Sequence, residues 1–310
     1  MVEGGCAIRF LNGCAALALA SVVIGASAGE MRALVWIAPG QEFEALARQP
    51  ATCLASGSEK MQLRTGKALF NSPQLLGGQA ARASISCESC HSNGQLNRHF
   101  FLDGVSDRPG NADVSSSFFS LARANHRFDP KPIPNLAEPG NVSRDDNSGA
   151  LEAFLRGLIV EEFAGAEPSQ AVLDALATYV RAIGPCEGLE DEARTLSGQV
   201  GLVRDAATGA AWLARRGETP GAQVLISGAR TQLGLIDERY AGGRLTSKRR
   251  LLREASRALQ PVAEADEPDP EKIEGWLFDF DRRIVPGLEK VEHRSLYDEH
   301  RMENYLEGPG

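Results

Sequence analysis

Hydrophobic residues follow a helical period through most of the second half of the chain. Apolar side chains recur three and four residues apart within 196–210, 225–240, 252–259 and 273–284. This spacing places one apolar stripe on each predicted helix. The residues typical of helix starts and stops between these segments are Thr219-Pro220, Gly242-Gly243, Pro261 and Asp269-Pro270. The pattern predicts four amphipathic helices joined by short loops, an antiparallel bundle over 187–310.

The first half has shorter helical signals around a long irregular segment. A helix is predicted from Glu59 to Phe70, a second over 151–158, and a third that starts at Pro168 and ends at Gly184-Pro185. Between Asn93 and Asp146 the periodicity disappears, and Gly, Pro, Asn, Asp and Ser dominate. Loops of this length are usually functional, so we expect this one to enclose a ligand.

The first 28 residues have the pattern of a secretory signal peptide. Arg9 precedes an apolar run over 14–25, and Ala26-Ser27-Ala28 is a cleavage-site sequence. The alternative is a membrane anchor, but the run is shorter than the roughly 20 residues that a span needs. We therefore expect a periplasmic or otherwise exported protein without a membrane span in its mature chain. Residues 29–58 then form a leader segment.

Composition narrows the fold class and the partners. The chain has 310 residues, of which 43% are hydrophobic and 6% aromatic, a balance that favours a globular, helix-rich protein of about two domains. Its net charge of −8 argues against a nucleic-acid partner. The predicted fold is all-α, with one domain over 59–186 and the bundle over 187–310.

The segment Cys87-Glu88-Ser89-Cys90-His91 matches C-x-x-C-H, the attachment sequence of c-type haem. Two thiols one helical turn apart can form thioether bonds to the two haem vinyl groups, and the adjacent imidazole can bind the iron. A thioredoxin-like pair would need a βαβ context, and a zinc site would need further Cys or His at matching spacing. Neither is present, so we predict one covalent haem c with His91 as the proximal ligand.

Two more cysteines, Cys53 and Cys186, remain after the signal peptide and the haem motif are set aside. An exported protein rarely keeps two idle thiols. We therefore predict a Cys53–Cys186 disulfide that closes a loop around the haem-bearing segment.

The sixth iron ligand is less well determined. No Met lies between His91 and Cys186, whereas His99 and His126 both do. We predict His126 or His99 as the distal ligand, with His126 favoured because His99 is close to the motif. An open iron and ligation by Met61 remain alternatives.

Haem propionates would need cationic partners near the motif. The candidates are Arg82, Arg98 and Arg108, because guanidinium groups suit carboxylates. Solvated loop charges are the alternative for each.

Residues 60–185 resemble a class I cytochrome c domain, and most closely a haem domain of the bacterial di-haem cytochrome c peroxidase and MauG family. The stretches that carry the resemblance are Gly66-Lys-Ala-Leu-Phe-Asn71, Ile85–His91, Leu158-Ile-Val-Glu-Glu-Phe163 and Leu176-x-x-Tyr179-Val180. The resemblance implies that the first and last helices of the domain cross closely. That family carries two C-x-x-C-H motifs and this chain carries one, and the region after Cys186 resembles nothing recognised.

These observations predict an exported monohaem c-type cytochrome that transfers one electron at a time. Its partner would be another cytochrome or a haem enzyme, and the bundle would serve for docking or for homo-oligomerisation. Reducing peroxide takes two electrons, and the relatives have a second haem that this chain lacks. A peroxidase-like haem enzyme with an open iron, or a haem-based sensor, is the alternative.

Overall fold

The computed structural model describes Met1 and residues 31–55, 60–241 and 243–308. Apart from Met1, the predicted signal peptide lies outside the described residues. Helices make up most of the regular structure, which confirms the all-α fold class at this level. Among the described residues, no helix combines the length and the apolar character that crossing a bilayer requires.

The first half contains short helices around the irregular segment. They are α1 (Glu42–Ala47), α2 (Met61–Phe70), α3 (Pro73–Leu76), α4 (Gly78–Arg82), α5 (Cys87–Cys90), α6 (Ala150–Gly157) and α7 (Gln170–Ala182). A π-helical turn, Leu158–Glu162, continues α6, and 3-10 turns lie at Arg32–Trp36 and Ser92–Gly94. The Ser169 hydroxyl caps α7 by accepting a hydrogen bond from the Val172 N–H at 3.4 Å.

In the described part of the chain, four two-residue strands form two antiparallel pairs. Strand β1 (Arg48–Gln49) pairs with β4 (Glu192–Ala193), with Arg48 opposite Ala193. Strand β2 (Asn111–Ala112) pairs with β3 (Lys131–Pro132), with Asn111 opposite Pro132. The irregular segment between the haem motif and α6 is therefore held by one short ladder and by turns.

The second half contains the predicted long helices. They are α8 (Leu196–Ala214), α9 (Thr219–Arg239), α10 (Thr246–Ala263), α11 (Pro270–Asp279), α12 (Val285–Glu289) and α13 (Glu299–Glu307). The Asp269 carboxylate accepts a hydrogen bond from the Glu271 N–H at 2.9 Å, which confirms the Asp269-Pro270 helix start. The prediction that Pro261 ends α10 is wrong, because Pro261 lies inside the last turn. A proline this close to the end costs little, since few backbone hydrogen bonds remain to be lost.

Helix α2 lies between α7 on one side and α8 on the other. A Cβ atom at Gly66 would lie 1.9 Å from the Ala175 carbonyl oxygen, so only glycine permits this approach of α2 and α7. One turn further, the rings of Phe70 and Tyr179 meet edge to face with centroids 5.2 Å apart. The two helices thus cross in direct backbone contact.

One hydrophobic core extends from the first half into the bundle. Its fully buried members include Leu69 of α2, Leu176 of α7, Leu213 of α8 and Leu225 of α9. The predicted domain boundary after Cys186 therefore does not separate two hydrophobic cores, because one core continues across it.

The predicted leader segment is built into the fold. Met31, Ile37 and Leu46 form a second, smaller core with Leu296 and Met302 from the last turns of the chain. The Arg239 guanidinium of α9 donates to the carbonyl oxygens of Leu46 and, at 3.0 Å, of Leu296. This one side chain links the leader, the bundle and the C-terminal segment.

The predicted disulfide is present. Cys53 and Cys186 are joined, with Cα atoms 5.4 Å apart and a sequence separation of 133 positions. Leu54 and Ile183 form a bridge beside it. The disulfide therefore attaches the leader to the end of α7.

Candidate haem-binding site

The C-x-x-C-H motif forms the short helix α5 and its C-terminal cap. Cys87 and Cys90 are the first and last residues of the helix, and His91 follows as the cap. The Ser89 hydroxyl accepts a hydrogen bond from the Ser86 N–H at 3.1 Å, which fixes the start of this single turn. Cys87, Cys90 and His91 consequently line the same cavity.

His91 is oriented by a residue from the irregular segment. Its Nδ1 atom lies 3.0 Å from the carbonyl oxygen of Pro134. A carbonyl oxygen only accepts hydrogen bonds, so Nδ1 carries the proton and Nε2 keeps its lone pair. Burial lowers the pKa of His91 to about 4, so its neutral form prevails at neutral pH. A neutral imidazole with a free Nε2 is the form that binds a metal.

The chain reverses sharply after His91. Asn93 has a φ of +49° and donates its backbone N–H to the Glu88 carboxylate at 2.9 Å, while its side chain donates to the Pro50 carbonyl oxygen at 2.7 Å. A Cβ atom at Gly94 would lie 2.5 Å from Ile183 Cδ1. The turn therefore anchors the motif to both the leader and the end of α7.

The cavity in front of the motif has a volume of about 460 Å³ and mainly apolar walls. It lies between α2, α5, α6, α7 and the segment around β3. Its large apolar lining residues are Phe70, Leu76, Ile85, Ile133, Leu136, Leu151, Phe154, Leu155, Leu158, Ile159, Phe163, Leu176 and Val180. A cavity of this size and character is typical of a cofactor site.

Polar groups border the cavity at the irregular segment. They are Asp113, Ser115, Asp129, Lys131, Asn141 and Ser143. Lys131 is the only cationic side chain among the described lining residues, and its Nζ lies 3.6 Å from an Asp129 carboxylate oxygen. Lys131 was not among the predicted site residues, because its neighbours in sequence do not distinguish it from other charged residues in loops.

The arginines predicted as propionate partners do not line the cavity. Arg82 donates to the Gln79 side chain at 2.9 Å, and Arg98 forms an ion pair with Asp191 at 2.6 Å. Arg108 is exposed in a loop and does not line the cavity. Proximity in sequence to the motif did not place these side chains on the cavity wall.

Neither predicted distal histidine reaches the cavity. The Nδ1 atom of half-buried His99 lies 2.8 Å from Gln41 Oε1, on the side where the chain contacts the leader. His126 is exposed at a polar turn with a φ of +56°. Met61, at the start of α2, does not line the cavity either. Among the described residues, His91 is the only His or Met on the cavity wall.

The thiol environment disfavours the rival interpretations of the motif. Burial raises the pKa values of Cys87 and Cys90 to about 12, which suppresses the thiolate that a redox-active pair would need. Across the described residues, no three His, Cys, Asp or Glu side chains are grouped to hold a metal ion. A thioredoxin-like pair and a protein-only zinc site both lack structural support.

No family model, curated protein or solved structure matches this chain. Support for a cofactor at this site therefore comes from its residues alone. The structure brings together Cys87, Cys90, His91 and Pro134 around one cavity, and it leaves His99 and His126 outside.

Proposed function

We propose that the chain carries one haem c, attached through Cys87 and Cys90, with His91 as the proximal iron ligand. The observation that carries this proposal is the placement of both thiols and the imidazole on one cavity wall, with Nδ1 held by Pro134. The apolar walls suit a porphyrin face, and Lys131 is the cationic side chain on the described wall that would pair with a haem propionate. A bound haem supplies an iron that alternates between the ferric and ferrous states.

The helix geometry supports a class I cytochrome c-like domain over 59–186. In that fold the first and last helices cross closely. Here Gly66 faces the Ala175 carbonyl oxygen, and the Phe70 ring meets Tyr179 one turn away.

One-electron transfer is the function that we propose first. The cavity walls are mainly apolar, and His91 is held in one orientation. Both features limit the rearrangement that accompanies a change of charge. The Cys53–Cys186 disulfide is typical of an oxidising compartment, in keeping with an exported protein whose partner is another cytochrome or a haem enzyme.

A second candidate function is peroxidase-like chemistry at an iron with one open position. The observation that favours it is the lack of a second His or Met among the described residues of the cavity wall. The alternative needs an electron from a partner protein, because one iron cycling between two states stores one electron while peroxide reduction consumes two.

Haem attachment is tested on protein produced in a host that attaches c-type haem. Mass spectrometry of the denatured chain should show one added haem that resists acid–acetone extraction. The Cys87→Ala/Cys90→Ala variant should lose the covalent haem, whereas Cys53→Ser/Cys186→Ser should keep it. A haem that extracts freely from the natural chain would refute the proposal.

The two functions are separated by rapid mixing of the ferrous protein. Slow oxidation by peroxide together with fast electron exchange with a small c-type cytochrome supports the carrier. Fast oxidation by peroxide, with slow exchange, supports the enzyme and overturns the carrier.

A further inference from the structure

Helix α10 and the turn that follows it divide into a basic half and an acidic end. Between 244 and 257 the sequence has one acidic side chain, Glu254, and six cationic ones: Arg244, Lys248, Arg249, Arg250, Arg253 and Arg257. Between 258 and 271 it has no Lys or Arg and five acidic side chains: Glu264, Asp266, Glu267, Asp269 and Glu271. One continuous segment therefore carries two blocks of opposite charge.

This distribution of charge does not stabilise the helix itself. Helix α10 spans Thr246–Ala263, so Lys248 and Arg249 lie in its first turn and Glu264 follows its last turn. Cations near a helix N-terminus and carboxylates near a C-terminus both oppose the helix macrodipole. The arrangement costs helix stability, which points to a role outside the helix.

Only part of the charge is neutralised within the protein. Two arginine side chains of α10 lie 2.9 and 3.2 Å from the Asp237 carboxylate of α9. Arg250 lies 3.8 Å from Glu254, and both of these side chains are exposed. Across the described residues, Arg257 forms no ion pair, and neither do the two acidic side chains at 266–267. Both blocks therefore keep unpaired charge at the surface.

A groove of about 310 Å³ lies between α9 and α10 beside the basic half. Leu233 and Leu252 form its apolar part, and Arg253 and Arg257 form its cationic part. Asp237 also borders the groove, but its carboxylate already accepts hydrogen bonds from two arginines of α10. The groove therefore suits a protein segment that carries carboxylates.

The acidic end is an exposed turn that is held in one shape. It connects α10 to α11 over 264–269, and Asp266 and Glu267 are exposed. Gln223 of α9 donates to the Ala265 carbonyl oxygen at 2.9 Å, and Pro268 is buried. A turn that is already ordered loses little conformational entropy when it binds.

We propose that two copies of this chain form a two-fold dimer across α10, with the acidic turn of each copy in the groove of the other. A two-fold contact is self-complementary, so each copy must supply both surfaces. This chain does so within one helix and the turn that follows it. The proposal does not depend on haem, because no residue of the proposed haem site belongs to this surface.

The spacing of the two surfaces along the chain fits a two-fold axis. The arginines of the groove lie at 253–257 and the acidic turn at 264–269, so the midpoint between them falls near Pro261. Pro261 and Ala258 are exposed and have short side chains, which lets two antiparallel helices approach there. An axis at this point brings the basic half of each copy opposite the acidic turn of the other.

Sedimentation velocity of the mature chain tests for the dimer. At low ionic strength the protein should sediment as a dimer, and in about 1 M salt, where the Debye length falls to about 3 Å, as a monomer. A dimer that salt leaves unchanged overturns the proposal. A monomer at both ionic strengths, up to millimolar protein, also overturns it and leaves the basic half for an acidic partner of another kind.

Charge-reversal variants locate the contact. Arg250→Glu/Arg257→Glu makes both blocks acidic, and Asp266→Lys/Glu267→Lys makes both basic. Each should weaken dimerisation by roughly a hundredfold, because like charges then face each other at both ends of the two-fold contact. An equimolar mixture of the two variants should dimerise again, since each acidic block then faces a basic one. A mixture that stays monomeric contradicts the assignment.

A matched control separates this surface from net charge. Arg82→Glu/Arg108→Glu changes the net charge by the same amount as Arg250→Glu/Arg257→Glu, at two exposed positions of the first half. It should leave the dimer unchanged. Equal loss of the dimer in these two variants would show that overall repulsion controls association, which overturns the assignment to α10.

Discussion

Helices α8, α9 and α10 have 19, 21 and 18 residues, whereas the segment between α5 and α6 contains only a 3-10 turn and two two-residue strands. The bundle is stabilised by packing of the long apolar stripes on its helices, which arise wherever apolar residues recur three and four positions apart. The half that contains the C-x-x-C-H motif depends on single contacts: one disulfide, one glycine that admits a carbonyl group, and one imidazole held by a proline carbonyl. Substitutions that break one of these contacts in the first half should therefore lower the stability strongly. Substitutions in the bundle should each lower it only slightly.

Removing the disulfide should have the largest effect. The Cys53→Ser/Cys186→Ser variant frees a long loop, so we expect the free energy of unfolding to fall by about 4 kcal/mol. Urea unfolding followed by circular dichroism measures it. An unchanged midpoint would show that the leader and α7 are held together without this bond.

A pair of glycine variants compares the two halves directly. Gly66→Ala should cost about 3 kcal/mol, because the new Cβ would lie 1.9 Å from the Ala175 carbonyl oxygen. Gly201→Ala in α8 has open space around its Cβ and should stabilise the protein by about 0.5–1 kcal/mol. Thermal unfolding of both variants is the measurement, and equal shifts would contradict the close crossing of α2 and α7.

Two ion pairs, one buried in the first half and one exposed in the bundle, should differ less in their effect on stability. Arg181 donates to Glu152 at 2.6 Å, and both side chains are largely buried (14% and 13% exposed), whereas Arg215 and Glu274 of the bundle are half exposed. We expect Glu152→Gln to cost about 1 kcal/mol, and Glu274→Gln to have no measurable effect. Chemical unfolding of the two variants at neutral pH tests this.

The Glu152 effect should depend on pH. The hydrogen bond from Arg181 lowers the pKa of Glu152 below its ordinary value. A carboxyl group whose folded-state pKa is lowered stabilises the fold above its unfolded pKa of about 4.3, and this contribution disappears as pH falls through the folded value. The stability difference between the natural chain and Glu152→Gln should therefore shrink below about pH 4. A difference that persists in acid would mean that packing, not charge, is responsible.

The smallest expected effect concerns the histidines outside the cavity. His99→Ala and His126→Ala should leave the absorption spectrum of the proposed haem-bound form unchanged in both oxidation states, because neither ring lines the cavity. His91→Ala is the control that should change it. A shift to a high-spin spectrum in His126→Ala alone would restore that residue as the distal ligand.

Short stretches of sequence are enough to predict the local features of this protein. The apolar period predicted α8 to α11, Asp269-Pro270 predicted a helix start, and C-x-x-C-H predicted a one-turn helix with two thiols beside an imidazole. These follow from neighbouring residues, since backbone hydrogen bonds and side-chain spacing act within a few positions. The Cys53–Cys186 pairing was also predictable, because only two cysteines were left to pair.

Contacts between groups far apart in the chain depend instead on how the whole molecule packs. Pro134 lies 43 positions from His91, and the contact of its carbonyl group with the imidazole depends on the path of an irregular segment. The same path keeps His99 and His126 off the cavity wall and brings Lys131 onto it. Continuity of the core across Cys186 likewise arises from packing of whole helices. Such contacts leave no local period in the sequence, because the free energy that selects them comes from burial between segments far apart in the chain.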